Sequence, residues 1–260
     1  MAAVDGELMT APDTAAGPGP GPGAEAGPAL RVVVVDDQAV IRTGLSMIID
    51  HEPDMDAVGE AADGVAAVAL VASLRPDVVL MDVRMPVLDG IEATRRIRAG
   101  SDSVGIVVLT TFEDDEYVFG SMRAGADGFI LKDATPEVLL GAIRAVAAGD
   151  AVIDPAVARR VFERWADLDS AGLGGRPELI AGLTGREREV LVALARGGSN
   201  RDLAEELIVS EATVKAHVSA LMAKLGVKSR VQAVILAYES GLVRPGAINP
   251  GALGGDQPNC

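Results

Sequence analysis

Five residues in the N-terminal part of the chain have the side chains needed to accept a phosphoryl group at a metal site. Asp36 and Asp37 follow one apolar run, Asp82 follows a second, and Thr110 and Lys132 follow two more. Carboxylates brought together repel one another, and an oxygen-preferring cation such as Mg²⁺ offsets that repulsion. One carboxylate would act as nucleophile, while the ammonium and hydroxyl groups bind phosphoryl oxygens. The chemistry indicated is phosphoryl transfer onto an aspartate.

An alternation of strand and helix patterns explains how these distant residues would meet. Apolar runs typical of strands buried on both faces are followed by amphipathic helical stretches. The predicted strands are Val32–Val35, Met55–Gly59, Val78–Met81, Ile106–Leu109 and Gly128–Leu131, and the predicted helices are Ala39–Ile49, Gly64–Leu74, Ile91–Arg98, Asp115–Ala124 and Glu137–Ala148. Five such repeats predict an α/β fold with a doubly wound, five-stranded parallel sheet, whose strands end at one shared rim.

The segments around these residues resemble the signature segments of receiver domains, which have a flavodoxin-like fold. The resemblance covers residues 30–150. The matching segments are Val-Val-Val-Val-Asp36-Asp37, Met81-Asp82-Val-Arg-Met-Pro86-Val-Leu-Asp-Gly90, Leu109-Thr110-Thr and Phe129-Ile-Leu-Lys132. In the resemblance, Pro86 and Gly90 shape the loop after the acceptor.

The resemblance implies a role for each residue of the set. Asp82 is the phosphoacceptor, and Lys132 contacts the acyl phosphate. Thr110 swings towards the phosphoryl group, and Phe129 follows it inward. The implied protein ligands of Mg²⁺ are Asp36, Asp37, Asp82 and the backbone carbonyl of Arg84, with Asp36 acting directly or through water. Lys132 is followed by Asp133, where many receivers have proline, so the geometry of that loop stays open.

Capping signals divide the C-terminal part into four helices. Thr184-Gly-Arg-Glu187 and Ser229-Arg-Val-Gln232 fit capping boxes, while Ser199 and Ser210 can cap the two helices between them. The helices are predicted to stop at Gly197-Gly198, near Leu207, at Gly226 and at Gly241. Two short helices separated by only three residues are typical of a helix-turn-helix.

This part of the chain closely resembles the LuxR-type helix-turn-helix. The matching segments are Leu183-Thr-Gly-Arg-Glu-Arg-Glu-Val-Leu191, Gly198-Ser-Asn-Arg-Asp-Leu-Ala204, Ser210-Glu-Ala-Thr-Val-Lys-Ala-His217 and Lys224-Leu-Gly-Val-Lys-Ser-Arg230. Together with the receiver segments, they identify the chain as similar to two-component response regulators of the NarL/FixJ type. The resemblance implies a transcription factor that is switched by phosphorylation of Asp82 by a sensor histidine kinase and is a homodimer when active.

The helix after Ser210 has the pattern of a recognition helix. An apolar stripe would be buried, and it consists of Val214, Val218, Leu221, Met222 and Leu225. On the other face, Lys215 would hydrogen-bond guanine, Ala216 would touch a thymine methyl, and Ser219 lies beside them. Residues placed for DNA phosphates are Thr213, Lys224, Lys228 and Arg230, with Asn200 and Arg201 on the preceding helix. The last helix, Val231–Glu239, would form a dimer contact or close the four-helix core.

Composition and charge fix the remaining organisation. We predict Ala/Gly/Pro-rich disordered tails over 1–29 and 245–260, a receiver over 30–150, a linker with one helix (Pro155–Trp165) over 151–180, and the DNA-binding domain over 181–244. The net charge is −15, yet nine basic and seven acidic residues between Ala181 and Arg244 give +2 there, which permits modest, salt-sensitive DNA binding. Without a secretory signal or an apolar run long enough for a membrane span, we expect a cytoplasmic protein.

Two alternatives are open. An aspartate-nucleophile phosphatase would need a second aspartate two residues after the nucleophile, but Arg84 follows Asp82 at that position and Gln38 follows Asp36. We therefore expect a protein that is not an enzyme. The second alternative is a phosphorylation-independent regulator whose receiver serves only as a dimerisation module, and the complete acidic set argues against it.

Overall fold

The structure, a computed structural model, describes residues 28–101, 103–111, 115–161 and 175–243. Nearly all of both predicted tails lies outside the described residues, as do Trp165 and much of the predicted linker. In the described ranges, no helix combines the length and the apolar character that crossing a membrane requires.

The N-terminal domain is built on a parallel sheet of six strands in the order β2-β1-β3-β4-β5-β6. The strands are β1 (Leu30–Val35), β2 (Met55–Ala61), β3 (Val78–Asp82), β4 (Gly105–Thr110), β5 (Gly128–Leu131) and β6 (Val152–Ile153). Strands β1 to β5 confirm the five predicted strands. The predicted count is wrong, because the sheet has a sixth strand, β6. This last strand has two residues, which is too short to produce a recognisable strand pattern.

Helices connect the strands and cover both faces of the sheet. They are α1 (Ala39–Asp50), α2 (Gly64–Leu74), α3 (Gly90–Gly100), α4 (Asp115–Ala124) and α5 (Pro136–Ala147), and α6 is described over residues 155–161. Val32 and Val34 belong to the core that contains α1 and α5, whereas Val33 and Val35 belong to the core that contains α2 and α3. Successive side chains of β1 thus pack against the two helical layers in turn. Because the strands are parallel, the polar residues at their ends lie at one rim between these layers.

A buried arginine links the segments that precede β4 and β5, at the edge of the sheet opposite the polar rim. Arg98, at the end of α3, is 4% exposed and forms an ion pair with Asp127. Its Nε donates to the carbonyl of Gly125 at 2.7 Å, and Nη1 donates to the carbonyl of Val104. The Asp127 carboxylate also accepts the backbone N–H of Ile106 at 2.9 Å. One guanidinium thus ties α3 to the segments that enter β4 and β5.

The C-terminal domain is helical. After a short 3₁₀ helix (Pro177–Ile180) come α7 (Gly185–Ala195), α8 (Asn200–Leu207), α9 (Glu211–Leu225) and α10 (Arg230–Glu239). The capping boxes of Thr184 with Glu187 and of Ser229 with Gln232 are confirmed, and Ser199 forms a third one with Asp202. Ser210 caps α9 by accepting the N–H of Thr213. The predicted four-helix arrangement is therefore confirmed together with its cap residues.

The helices of this domain surround one apolar core. The predicted stripe of α9 faces that core, with Val214, Val218 and Leu221 buried, and Met222 and Leu225 packed against it. Ala233, Ala237 and Tyr238 of α10 belong to the same core, so α10 closes the domain.

Candidate functional site

The polar rim of the sheet brings Asp36, Asp82 and Lys132 into direct contact. The Nζ of Lys132 lies 2.7 Å from Oδ2 of Asp36 and 2.9 Å from Oδ2 of Asp82. Asp36 has no exposed surface, and Asp82 is 4% exposed. The remaining oxygen of Asp36 accepts the N–H of Gln38 at 2.8 Å. Three predicted site residues at the ends of β1, β3 and β5 therefore form one cluster, in which the half-buried Lys132 contacts two buried carboxylates.

A third carboxylate completes a group that fits a divalent cation. One ligand oxygen from each of Asp36, Asp37 and Asp82 lies within 4.8 Å of the other two, and Asp37 is exposed. An all-oxygen set open to solvent on one side suits Mg²⁺, which retains several of its waters. The N–H of Arg84 points to Oδ1 of Asp82 at 3.5 Å, which places the Arg84 backbone beside the Asp82 carboxylate.

Burial and charge act in opposite directions on the cluster. Burial raises the pKa of Asp82, and the hydrogen bond and charge of Lys132 only partly oppose it. For Lys132, burial favours the neutral amine, but the hydrogen bonds to Asp36 and Asp82 outweigh it and raise its pKa. The lysine is therefore a permanent positive charge at the rim.

The cluster opens into a cleft of about 250 Å³. Asp37, Asp82, Thr110 and Lys132 line it. The structure adds Gln38 and Tyr117 to the predicted set, together with the Arg84 side chain, whose Nη2 donates to the hydroxyl of Thr111 at 3.3 Å. Gln38 directly follows the aspartate pair, and Tyr117 lies in the first turn of α4. Their closeness in the sequence to rim residues is the one signal that could have predicted that they line the cleft.

The loop that follows Asp82 is fixed by a close approach at Gly90. The N–H of Gly90 donates to the carbonyl of Val83 at 2.9 Å. A side chain at Gly90 would collide with the carbonyl of Asp82. Only glycine therefore lets α3 begin this close to the end of β3.

Thr110 and Phe129 lie on the adjacent strands β4 and β5. The hydroxyl of Thr110 donates to the carbonyl of Thr111 at 3.1 Å, and Thr110 is 5% exposed. Phe129 has no exposed surface and belongs to a core that includes Val118 and Met122 of α4. Both side chains are thus inside the domain, on the side where α4 covers the sheet.

The second predicted site is the outer face of α9. Lys215, Ala216 and Ser219 are exposed there, and Thr213 is half-buried. Lys228, just after this helix, and Arg201, on α8, are also exposed. A helix that shows basic and small side chains on its open face has the form of one that enters a DNA major groove.

Comparison with known proteins matches both parts of the chain. Residues 32–144 match the response regulator receiver domain, and residues 181–237 match the bacterial regulatory proteins of the luxR family. An uncharacterized transcriptional regulatory protein of Bacillus subtilis, YxjL, is 42% identical over 83% of this chain and 98% of its own length. The oxygen regulatory protein NreC of Staphylococcus aureus is 39% identical over 82% of this chain and 99% of its own length.

The chain belongs to the response regulators that join a receiver domain to a LuxR-type DNA-binding domain. It is thus a two-component transcription regulator switched by phosphorylation, as the sequence predicted. A solved structure, the LuxR-family two-component response regulator of Aurantimonas sp. SI85-9A1, is 33% identical over 53% of this chain and 99% of that one, with a TM-score of 0.50.

Two residues predicted to contact DNA phosphates are buried in this response regulator. Asn200 is 3% exposed and Arg230 is 5% exposed. Both contact the receiver residue Asp150, whose Oδ1 lies 2.9 Å from the N–H of Asn200 and 3.1 Å from Nη1 of Arg230. In this arrangement of the two domains, these side chains do not share the open surface of α9.

Lys224 is also occupied. Its Nζ lies 2.7 Å and 3.0 Å from the two carboxylate oxygens of Glu187, which forms the capping box of α7 with Thr184. A DNA phosphate at Lys224 would therefore have to compete with Glu187.

The ion pair with Lys224 makes the carboxyl of Glu187 more acidic than usual. The hydrogen bond of Lys224, followed by that of the Thr184 N–H, lowers the pKa of Glu187 to about 2. Because this pKa is lower in the folded than in the unfolded state, the stabilisation is present above the unfolded value and is lost as the pH falls towards 2. The Lys224→Met variant should raise the pKa of Glu187 towards its ordinary 4.5. NMR titration of the carboxyl carbon measures this, with Lys215→Met as the control. An unchanged pKa in Lys224→Met would show that the capping contacts alone are responsible.

Proposed function

We propose that Asp82 is the phosphoacceptor of this response regulator and that α9 reads DNA. The observation that carries the first part is the contact of Lys132 with both Asp36 and Asp82 beside a third carboxylate. The second part is supported by the open face of α9, with Lys215 and Ala216 for base edges and Thr213, Ser219, Arg201, Lys224 and Lys228 around them.

Each rim residue has a chemical task in the proposed transfer. An oxygen of Asp82 forms a bond to the phosphorus of the donor, and the bond from phosphorus to the donor's leaving group breaks. Lys132 binds an oxygen of the transferred group, and the hydroxyl of Thr110 can turn from the Thr111 carbonyl towards it. Asp36, Asp37, Asp82 and the Arg84 carbonyl would hold Mg²⁺, which neutralises charge on the phosphoryl oxygens when bound.

The donor and the other partners follow from this chemistry. We propose a sensor histidine kinase as the donor, because a phosphohistidine can transfer its phosphoryl group directly to a carboxylate. With DNA as the second partner, we propose a cytoplasmic protein. We propose a homodimer in the phosphorylated form, with the receiver at 30–150 joined to the DNA-binding domain at 181–244 by the linker 151–180.

The decisive experiment compares DNA affinity with and without phosphorylation at fixed salt. The probe is a fluorescent duplex selected from a random pool by the phosphorylated wild-type chain, and anisotropy reports binding. Phosphorylation should tighten binding, and Lys215→Ala should weaken it by about ten-fold or more, the value of one good base contact. Arg95→Ala, on the exposed face of α3, is the control.

Two outcomes would contradict the proposal. Equal affinity with and without the phosphoryl group would favour a regulator that does not depend on phosphorylation. Unchanged affinity in Lys215→Ala would remove α9 from the DNA interface.

A further inference from the structure

An arginine of α1 reaches the backbone of the acidic rim. Nη1 of Arg42 donates to the carbonyl oxygen of Asp36 at 2.7 Å, and its Nε lies 3.5 Å from Oε2 of Glu60 on β2. The hydroxyl of Ser46, one turn further along α1, donates to Oε1 of the same carboxylate at 2.7 Å. The side chain of Arg42 is 16% exposed, so it is a largely buried cation. Arg42 thus joins α1 and β2 to the residue that follows β1.

Asp36 is held at each of its polar groups. Its N–H donates to the carbonyl of Ala61 at 3.2 Å, and its two carboxylate oxygens accept the N–H of Gln38 and the Nζ of Lys132. The hydrogen bond from Arg42 supplies the partner of the carbonyl oxygen. Asp36 also has no exposed surface, so these four contacts set its position.

Asp37 is exposed, and its direction depends on the peptide unit that precedes it. Val35 is the last paired residue of β1, so strand pairing does not extend over the peptide unit between Asp36 and Asp37. A peptide unit is planar, and the carbonyl of Asp36 therefore lies in one plane with the nitrogen and Cα of Asp37. By holding that carbonyl, Arg42 sets the direction in which the chain continues to Asp37.

We propose that Arg42 is a positioning residue for the metal site, which holds the carbonyl of Asp36 and so places the carboxylate of Asp37 for Mg²⁺. The inference rests on the proposed function, since it takes Mg²⁺ as the ligand of the three carboxylates. Groups that orient a metal ligand contribute about ten- to hundred-fold to metal affinity. Arg42 contacts Asp36 through the backbone and not through the carboxylate, so it should control metal affinity more than the transfer step.

The charge of Arg42 by itself would have the opposite effect. A cation beside three carboxylates repels Mg²⁺, so the loss of its charge alone would tighten metal binding. Loss of positioning weakens binding, because the backbone at Asp37 gains orientations that must be given up when the metal binds. The sign of the change in Mg²⁺ affinity therefore separates the two effects.

The test is a titration of the unphosphorylated full-length chain with Mg²⁺, followed by the amide NMR signals of residues 36–38. In Arg42→Met, we expect the dissociation constant for Mg²⁺ to rise about ten-fold, the lower end of the range for such groups. Arg42→Lys keeps the charge and a donor, and it should recover most of the wild-type affinity. An unchanged or smaller dissociation constant in Arg42→Met would overturn the inference.

Arg31→Met is the matched control. Arg31 lies near the start of β1, and its Nη1 donates to the carbonyl of Leu74 at 2.7 Å. This hydrogen bond has the same kind of donor and acceptor and the same length, but it lies at the opposite end of the strand from the rim. Its loss should leave the Mg²⁺ affinity close to that of wild type. An equal rise of the dissociation constant in Arg31→Met and Arg42→Met would overturn the inference, because it would show a general loosening of the receiver.

Glu60→Gln separates the hydrogen bond to the Asp36 carbonyl from the ion pair of Arg42. It removes the charge that faces the guanidinium and leaves the bond from Arg42 to Asp36, and glutamine can still accept the hydroxyl of Ser46. The Mg²⁺ affinity should therefore fall much less than in Arg42→Met. An equal fall in the two variants would overturn the role of the carbonyl and assign the effect to the ion pair.

A second readout separates positioning from damage to the fold. The rate of phosphoryl uptake from a small acyl phosphate is measured as a function of Mg²⁺ concentration. In Arg42→Met, the concentration that gives half the maximal rate should rise in step with the dissociation constant. The rate at saturating Mg²⁺ should fall far less, because the contact of Asp82 with Lys132 is not altered. A lower rate at saturating Mg²⁺ with an unchanged half-maximal concentration would overturn the inference.

The behaviour of wild type distinguishes this inference from the proposed function. If the wild-type signals show no saturable change with Mg²⁺, the metal site of the proposed function fails, and the inference fails with it. If wild type binds Mg²⁺ and Arg42→Met binds it equally well, the inference alone fails. Without Mg²⁺, the carbonyl carbon shift of Asp36 should move in Arg42→Met and not in Arg31→Met, and an unmoved shift in Arg42→Met would overturn the hydrogen bond on which the inference depends.

Discussion

The Asp82→Asn variant should take up no phosphoryl group from a small acyl phosphate donor and Mg²⁺, whereas the wild-type chain takes up one. A neutral amide lacks the nucleophilic carboxylate oxygen that attacks phosphorus. It also removes one of the three carboxylates that would hold the metal. Intact mass spectrometry measures the adduct directly, and the expected effect is all or none.

The geometry supports Asp82, rather than the other two aspartates, as the proposed phosphoacceptor. Asp36 has no exposed surface, and its oxygens are occupied by the N–H of Gln38 and by Lys132. Asp37 is exposed, and the ion pairs of Lys132 are with Asp36 and Asp82 instead. Asp82 lines the cleft and contacts Lys132, so it combines access with a cation.

The control for this prediction is Asp89→Asn. Asp89 lies in the loop after the acceptor strand and caps α3 by accepting the N–H of Glu92 at 2.8 Å, which asparagine can also do. This variant should form the adduct, and chelation of Mg²⁺ with EDTA should suppress it in the wild type. An adduct that persists in Asp82→Asn would show that another residue accepts the phosphoryl group. No adduct in the wild type would favour a receiver that serves only for dimerisation.

Local chemistry made much of the fold predictable. Helix α9 begins after the capping residue Ser210 and ends at Gly226, which adopts a positive φ of 70°. Both ends were predictable because each depends on a single residue type that can be read from the sequence. The residues of the acidic rim could be paired in advance because parallel strands end on the same side. Asp36 and Lys132 therefore meet as predicted, although they are 96 residues apart.

Side-chain contacts between helices, and between the two domains, could not be predicted. Asp150 is one acidic residue in a loop, and nothing near it in the sequence identifies Arg230, 80 residues away, as its partner. Lys224 has the type and position of a phosphate ligand, yet it reaches Glu187 on another helix. Such pairs depend on how helices and domains pack, which periodicity and capping do not encode.

The largest expected change in stability is that of Arg98→Ala. The substitution removes the guanidinium from Asp127 and from the carbonyls of Gly125 and Val104. The Asp127 carboxylate keeps the hydrogen bond from the Ile106 N–H but loses its cation. Breaking a buried ion pair by removing one partner costs about 3–5 kcal/mol, because the remaining charge stays in a poorly solvated place. We expect a loss of that size in the free energy of unfolding of the receiver domain.

Arg95→Ala on the same helix is the matched control. Arg95 pairs with Glu92 three residues away; the Arg95 side chain is exposed to solvent, and that of Glu92 is partly exposed. An exposed pair of this kind contributes about 0.2–1 kcal/mol. Urea-dependent amide exchange of β4 reports unfolding of the receiver separately from the helical domain, which avoids a two-state treatment of the whole chain. If both variants lost the same small free energy of unfolding, water would reach Asp127 once Arg98 is removed. The stability of the receiver would then reside in its apolar cores rather than in the ion pair of Arg98 with Asp127.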